Sequence, residues 1–280
     1  MPNKINLRLD LFWKELVLFG LALSAGIFSA SRQADQVDIK TVESMSYSWE
    51  NIIVFFIFLI LISLLLPRFN KLSLVAFKFF LVLVVFSGSQ AFFETFISSP
   101  LDLLLALGLT ICFVVFHSVL IHNLGIIIGI AGISSLLGLV IKPELAIGLL
   151  VILSFYDILA VYWTGHMVTL ARGMMESGAI FGFIIPFRWL DIFYHKYEAK
   201  KKIGERFMIL GSGDVGLPLI LISSVAVNSV AQATIIAMFA SAGLFVTHLL
   251  FVNQSGRRPM AALPPIATFT IIGYLVFQLW

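Results

Sequence analysis

The sequence predicts an all-α polytopic membrane protein with about nine transmembrane helices. Apolar residues make up 60% of the 280 residues, charged residues only 12%, and the mean hydropathy is +1.04. This composition excludes an ordinary soluble domain. Apolar runs close to the roughly twenty residues that a bilayer requires recur along the chain, and helices satisfy the backbone hydrogen bonds of a span within lipid. We therefore expect a single transmembrane domain over residues 1–280.

The predicted spans follow one another with short connections, except for one long loop over residues 165–206. They run roughly over residues 13–31, 51–66, 72–93, 101–121, 124–141, 145–164, 207–227, 233–252 and 262–279. The boundary between the fourth and fifth spans is drawn at His122-Asn123. Within the long loop, the apolar segment Ala179–Phe187 is too short to span, and we expect interfacial packing for it ahead of a β-strand.

Basic residues predict the orientation of the spans. With the N-terminus inside, 15 of the 18 Lys and Arg residues fall on the inner side, and only Arg32, Lys40 and Lys142 fall outside. Short cytoplasmic loops carry such an excess of positive charge, so we expect a cytoplasmic N-terminus and, after nine spans, a C-terminus outside. A cleavable signal peptide is the alternative for the first span. Its apolar run exceeds the usual ~7–15 residues, which favours a retained helix.

Several partners and groups are not expected from the sequence. Basic patches interleaved with aromatic residues, as in nucleic-acid-binding proteins, are absent. The single cysteine, Cys112, allows neither an intramolecular disulfide nor a thiolate metal cluster. His117 and His122 are five residues apart, which is a poor match to one helical face, so we expect no metal site and no cofactor.

Two ionisable carboxyls lie inside predicted spans. Asp157 is in the sixth span and Asp214 in the seventh, each seven residues from the predicted inner end. At 1.5 Å per residue both lie roughly 10 Å below the cytoplasmic boundary. A charge at that depth costs at least a few kcal/mol and usually has a function. Two adjacent carboxyls share one proton, so one can activate a water while the other polarises a peptide carbonyl.

The residues around these carboxyls resemble the motifs of a known family. Tyr156-Asp157 and Gly211-Ser212-Gly213-Asp214, in order on adjacent spans, resemble the Tyr-Asp and Gly-x-Gly-Asp motifs of presenilin and signal peptide peptidase. Both are intramembrane aspartyl proteases with nine spans. The third family motif, Pro-Ala-Leu, corresponds to Ala261-Ala262-Leu263, where Ala261 replaces the first Pro. The resemblance implies that Asp157 and Asp214 are catalytic. The residues it implies for substrate binding and support are Tyr156, Gly211, Gly213, Ala262, Leu263 and Pro264.

The resemblance also carries expectations about location and partners. Presenilins resemble this chain in having a cytoplasmic N-terminus, and the short length and compact loops are most similar to the archaeal members. This likeness implies a prokaryotic cell membrane and substrates that are transmembrane segments of other proteins. It also implies that accessory subunits are not required, while homo-oligomerisation remains open.

The glycines and prolines of these motifs have two interpretations each. Gly211 and Gly213 allow another backbone to approach Asp214, or serve ordinary helix packing. A substrate helix must unwind before it is cut, and pairing with the edge of a strand would satisfy its exposed backbone groups. Pro264 and Pro265 lack amide donors, so they either leave carbonyls free for this pairing or mark the start of the ninth helix.

Two other functions remain open from the sequence. An ion-coupled transporter would use Asp157 and Asp214 as relay groups, although no internal repeat of the kind common in transporters is visible. An inactive scaffold protein is suggested by Ala261 in place of the family Pro, although both aspartates are intact.

Overall fold

The protein is a bundle of apolar helices with a two-stranded β-ribbon. The computed structural model describes residues 7–36, 70–165, 173–174, 178–254 and 259–278. The helices are α1 (Leu9–Gln36), α2 (Asn70–Glu94), α3 (Leu101–Val115), α4 (Val119–Val140), α5 (Pro143–Ile158), α6 (Lys196–Lys201), α7 (Ser212–Ala226), α8 (Val230–Val252) and α9 (Leu263–Gln278). The strands are β1 (Gly182–Pro186) and β2 (Phe207–Gly211). A π-helical turn, Leu159–Trp163, continues α5.

The helices have the length and the apolar exterior of membrane spans. Five are long and apolar enough to cross a bilayer, and α3, α7 and α9 are shorter apolar helices. Large apolar side chains such as Leu104 and Ile111 of α3, each 59% exposed, face outward. Such a surface suits lipid, because water-soluble monomers rarely expose large apolar patches. Eight of the nine predicted spans fall on these helices, and the predicted span 51–66 lies outside the described residues.

Helix α4 lies at the centre of the bundle and contacts α1, α2, α3 and α7. Small residues allow these close contacts. A Cβ at Gly132 would overlap the Gly88 carbonyl oxygen of α2, and one at Gly138 would lie 2.5 Å from the Ser223 Cβ of α7. Membrane helices often pack through small residues because backbones can then approach closely.

A buried polar pair connects α1 to α8. The His248 Nδ1 lies 2.8 Å from the Glu15 Oε1, and the side chains of both residues are almost fully buried. The His248 Nε2 also lies 3.0 Å from the Leu7 carbonyl oxygen. On the other side of α8, a Cβ at Gly243 would lie 2.7 Å from the Ile266 Cα, so α9 packs directly on α8. These contacts connect α1 to α8 and α8 to α9.

The loop segment expected at the membrane interface is instead a buried strand. All five residues of β1 are buried, and they pair antiparallel with β2 from Gly182↔Gly211 to Pro186↔Phe207. The interfacial prediction for Ala179–Phe187 was wrong: the segment contains a strand, as in the alternative, and this strand pairs with β2. The pairing partner is more than twenty residues away along the chain, so the local sequence pattern does not reveal it.

Two predicted span boundaries also differ from the structure. The chain breaks before Val119, where Ser118 caps α4 by accepting the Ile121 N–H at 3.3 Å. His122 and Asn123 therefore lie inside α4 rather than between two spans. The predicted seventh span is wrong in its first five residues, which form β2, and α7 begins only at Ser212.

Candidate active site

Asp157 lies six residues before the end of the spanning segment Pro143–Trp163. It is the penultimate residue of α5 and is 6% exposed, whereas its neighbour Tyr156 is half-buried. The π-helical turn Leu159–Trp163 begins two residues later. Such turns are rare and occur frequently at functional sites, because they widen the helix and redirect the side chains around them.

Asp214 lies in the first turn of α7. Its carboxyl turns back towards Gly211, the N-cap residue, whose N–H points to it. A Cβ at Gly211 would lie 2.8 Å from the Asp214 Oδ2, so only glycine leaves the carboxyl this position. The helix N-terminus favours negative charge there. Four residues later, Pro218 offers no N–H to the Asp214 carbonyl, which leaves the first turn without one of its hydrogen bonds.

The third motif reaches the site through its backbone. The Leu263 N–H donates to the Asp157 Oδ2 at 3.4 Å, and Leu263 is 4% exposed. The Ala262 carbonyl accepts a hydrogen bond from the Thr247 hydroxyl of α8 at 3.4 Å. Pro264 and Pro265 lie in the first turn of α9, where a helix needs no N–H, which fits their interpretation as helix-start residues.

The fold brings the two carboxyls to the same end of the bundle. Helices α5, α7 and α9 contact one another, and Asp157 is close enough to Asp214 for electrostatic interaction. Asp157 lies near the end of its helix and Asp214 near the start of its own, so the two residues lie at the same end of neighbouring helices that run in opposite directions. Gly211 and Leu263 contact this pair, whereas Gly213 has open space where a Cβ would be.

The histidines discounted as metal ligands have structural contacts. The His117 ring stacks on that of His195 with centroids 5.3 Å apart, and the His122 Nε2 lies 3.0 Å from the Gly182 carbonyl oxygen. Among the described residues, no group of three or more His, Cys, Asp and Glu side chains is arranged to hold a metal ion.

Sequence reasoning overlooked two buried polar groups. Asn123 was assigned to a span boundary, but it is 1% exposed and its side chain bonds the backbone of β1. Glu15 was not singled out, but it pairs with His248. Both residues lie in apolar runs, and a polar residue within such a run was the available signal.

Comparison with known proteins identifies the family. A family model described as "Signal-peptide peptidase, presenilin aspartyl protease" matches residues 16–280. The chain belongs to this family. No curated protein sequence matches it. Two solved structures, both titled as a presenilin family intramembrane aspartate protease, have similar folds. One, from a C222 crystal, has a TM-score of 0.55 at 23% identity over 94% of this chain and 97% of that chain. The other, from a P2 crystal, has a TM-score of 0.62 at 22% identity over 94% and 95%.

Family membership bears on one of the two other functions that the sequence left open, the ion-coupled transporter. The presenilin-type fold and the apolar helices make this an integral membrane protein of the intramembrane aspartyl protease family. This assignment agrees with the resemblance read from the Tyr-Asp and Gly-x-Gly-Asp motifs. Neither the family nor the fold supports the ion-coupled transporter.

Proposed function

We propose that this protein is an aspartic endopeptidase of the Gly-x-Gly-Asp type, which hydrolyses peptide bonds within transmembrane helices of substrate proteins. Asp157 and Asp214 form its catalytic pair. The observation that carries the proposal is the convergence of both carboxyls at one end of the bundle, close enough to interact, with the Leu263 N–H bonded to one of them. An isolated buried carboxyl would not support this chemistry, because the reaction needs an acid and a base together.

The pair works with one shared proton. The ionised carboxyl takes a proton from a water, and the resulting hydroxide attacks the carbonyl carbon of the scissile peptide while the protonated carboxyl donates to the carbonyl oxygen. A tetrahedral diol forms. It collapses to a carboxylic acid as the C–N bond breaks and the nitrogen receives a proton from the pair. The proton belongs to the pair as a whole, so neither carboxyl alone is the acid.

The neighbouring residues hold the pair and the substrate. The Leu263 amide orients the Asp157 carboxyl, and the missing side chain of Gly211 makes room for that of Asp214. Tyr156, Gly213, Ala262 and Pro264 are the remaining candidates for substrate contact. Gly213 supports this role because it is exposed and no atom lies near its missing Cβ, which leaves space for an approaching backbone.

The substrate must be unwound to be cut, and the β-ribbon suits an unwound segment. Strand β2 ends at Gly211, three residues before Asp214. An extended segment that pairs with β2 would satisfy its backbone hydrogen bonds and pass beside the carboxyls. The positive-inside rule predicts a cytoplasmic N-terminus, this ribbon on the cytoplasmic side and a C-terminus outside.

Cleavage of a labelled single-span substrate by the purified protein in liposomes tests the proposal. We expect Asp157→Asn and Asp214→Asn each to abolish cleavage, since either change removes the shared-proton pair while keeping the side-chain shape. The matched control is Asp35→Asn, the same change on the exposed end of α1, which should leave the rate unchanged. Cleavage that survives either substitution at the pair would rule out the dyad. A folded wild type that cuts no substrate would favour the inactive scaffold.

A further inference from the structure

We propose that Asn123 is a positioning residue: it closes the outer edge of β1, so that a substrate segment adds only to the outer edge of β2, beside Asp214. The inference rests on the proposed function, in which an unwound substrate segment pairs with the ribbon. It assigns a role in selecting the cleaved bond to a residue of α4, a helix that carries neither catalytic carboxyl.

The register of the ribbon determines which backbone groups face outward. The Ser212 N–H bonds the Phe181 carbonyl oxygen at 3.1 Å, directly beyond the last strand pair. Hydrogen-bonded and non-bonded pairs alternate along an antiparallel ladder. The N–H and C=O groups of alternate β1 residues therefore face away from β2, and these residues are Gly182, Ile184 and Pro186.

Side chains of α4 occupy this outer edge of β1. The Asn123 Nδ2 donates to the Ile184 carbonyl at 2.8 Å, and its Oδ1 accepts the Ile184 N–H at 2.9 Å. These are the two bonds that a neighbouring strand would make to that residue. The His122 Nε2–H donates to the Gly182 carbonyl, which can only accept. Pro186 has no N–H to offer, so β1 has little left with which to bind a further strand.

The outer edge of β2 is different, because its central position is open. At one end of β2, the preceding turn occupies Phe207, whose N–H bonds the Lys202 carbonyl at 3.3 Å. By the same alternation, the N–H and C=O of Ile209 face away from β1. Within the part of the chain that the structure describes, no group bonds them. Ile209 lies five residues before Asp214, on the strand that leads directly into α7.

This asymmetry has a consequence for cleavage. Neighbouring strands lie about 4.8 Å apart, so a segment added to the outer edge of β1 would lie roughly 10 Å from β2, twice as far as a segment added to β2 itself. A segment added to β2 passes beside Asp214 in one register, and a slip of one residue would turn every side chain to the opposite face. By keeping β1 closed, Asn123 leaves the edge of β2 as the one at which the substrate can pair.

The test is Asn123→Leu, which keeps the approximate size of the side chain and removes its hydrogen-bonding amide. The full-length protein in liposomes would cut a single-span substrate, with the cleaved bonds read by mass spectrometry and KM and kcat measured. We expect cleavage to spread to neighbouring bonds and KM to rise about tenfold, with a smaller change in kcat. The matched control is Asn253→Leu, whose amide bonds the Leu249 carbonyl at the exposed end of α8, and it should cut like the wild type.

A second variant separates this role from general stability. In Asn123→Asp, a protonated carboxyl has one donor and one acceptor and so reproduces both bonds to Ile184, whereas an ionised carboxyl cannot donate. We expect the wild-type cleavage pattern in acid buffer and the pattern of Asn123→Leu in alkaline buffer, while the wild-type pattern stays the same at both. A folded Asn123→Leu with the wild-type pattern and KM would overturn the proposal. If that variant does not fold, a pH-independent pattern in Asn123→Asp would overturn it.

Hydrogen exchange tests whether a bound segment lies on the outer edge of β2 or on that of β1. This test works even if the wild type cuts nothing and the proposed function fails. A bound single-span peptide should slow exchange of the Ile209 amide in the wild type and leave that of Ile184 unchanged. In Asn123→Leu, the free protein should exchange the Ile184 amide faster, and the peptide should slow it. An Ile209 amide that stays unprotected in the presence of bound peptide would overturn the proposal.

Discussion

Gly211 shows at the scale of one residue how the sequence prepares the site. It is the N-cap of α7 with φ −60° and ψ 141°, a conformation open to any residue, so backbone strain does not explain it. The reason is space, because the Asp214 carboxyl occupies the volume that a side chain would need. The motif glycine is therefore a requirement of the neighbouring carboxyl rather than of the turn.

We expect Gly211→Ala to lower kcat about 10- to 100-fold, because the added Cβ displaces the Asp214 carboxyl by up to an ångström. Stability should change by about 1 kcal/mol or less, the usual difference between N-cap residues. Cleavage kinetics and thermal unfolding in detergent measure the two effects. Gly216→Ala, on the same helix with only ordinary contacts at 3.5 Å, is the control. A wild-type kcat in Gly211→Ala would show that the carboxyl does not need this space.

At the scale of elements, the contact between α2 and α4 depends on glycines that face each other. A side chain at Gly132 would overlap the Gly88 carbonyl, which is backbone and cannot rotate away. We expect Gly132→Ala to lower the free energy of unfolding by about 1–3 kcal/mol, as overpacked cores do. Gly108→Ala on α3, where no atom lies within 4 Å, should be neutral or stabilising. Thermal unfolding of both variants in the same detergent compares them, and equal midpoints would contradict the close contact.

The Glu15–His248 pair joins α1 to α8 at a buried site. Removal of one partner leaves the other buried without its main partner, so we expect Glu15→Ala and His248→Ala each to destabilise by about 3 kcal/mol. The double variant should lose less free energy of unfolding than the two single variants lose together, because the second change removes a group that is already unpaired. Chemical unfolding of the single and double variants tests this, with Glu198→Ala on the exposed face of α6 as control. Additive losses would mean that the two side chains do not stabilise each other.

At the scale of the whole molecule, the proposed mechanism requires a maximum in the pH dependence of the rate. In acid both carboxyls are protonated and no base is present, and in alkali both are ionised and no acid is present. We therefore expect kcat to rise and then fall as pH increases, with Asp35→Asn giving the same profile as the wild type. Measurement across the range in which the protein stays folded checks this. A rate that rises continuously into strongly alkaline buffer would be inconsistent with a shared proton.

Much of the architecture follows from the sequence because membrane spans are encoded locally. Eight of the nine spans predicted from hydropathy fall on described helices, because a helix that crosses lipid must be apolar along its length. Asp157 and Asp214 stood out for the same reason, since a charge in an apolar run is costly wherever it occurs. The motifs around them predicted the family that the comparison identified.

The tertiary structure decided what depends on partners distant in sequence. Strand β1 formed because β2 and Asn123 satisfy its two edges, and the pairing with β2 shortened the seventh predicted helix. The Leu263 amide meets Asp157 only because α9 packs against α5, 106 residues away along the chain. A backbone hydrogen bond of this kind leaves no pattern in composition or periodicity, since every residue except proline carries the same N–H and C=O. The sequence by itself thus predicted the eight spans that fall on described helices and the two carboxyls within them, and only the packed chain decided which backbone groups surround those carboxyls.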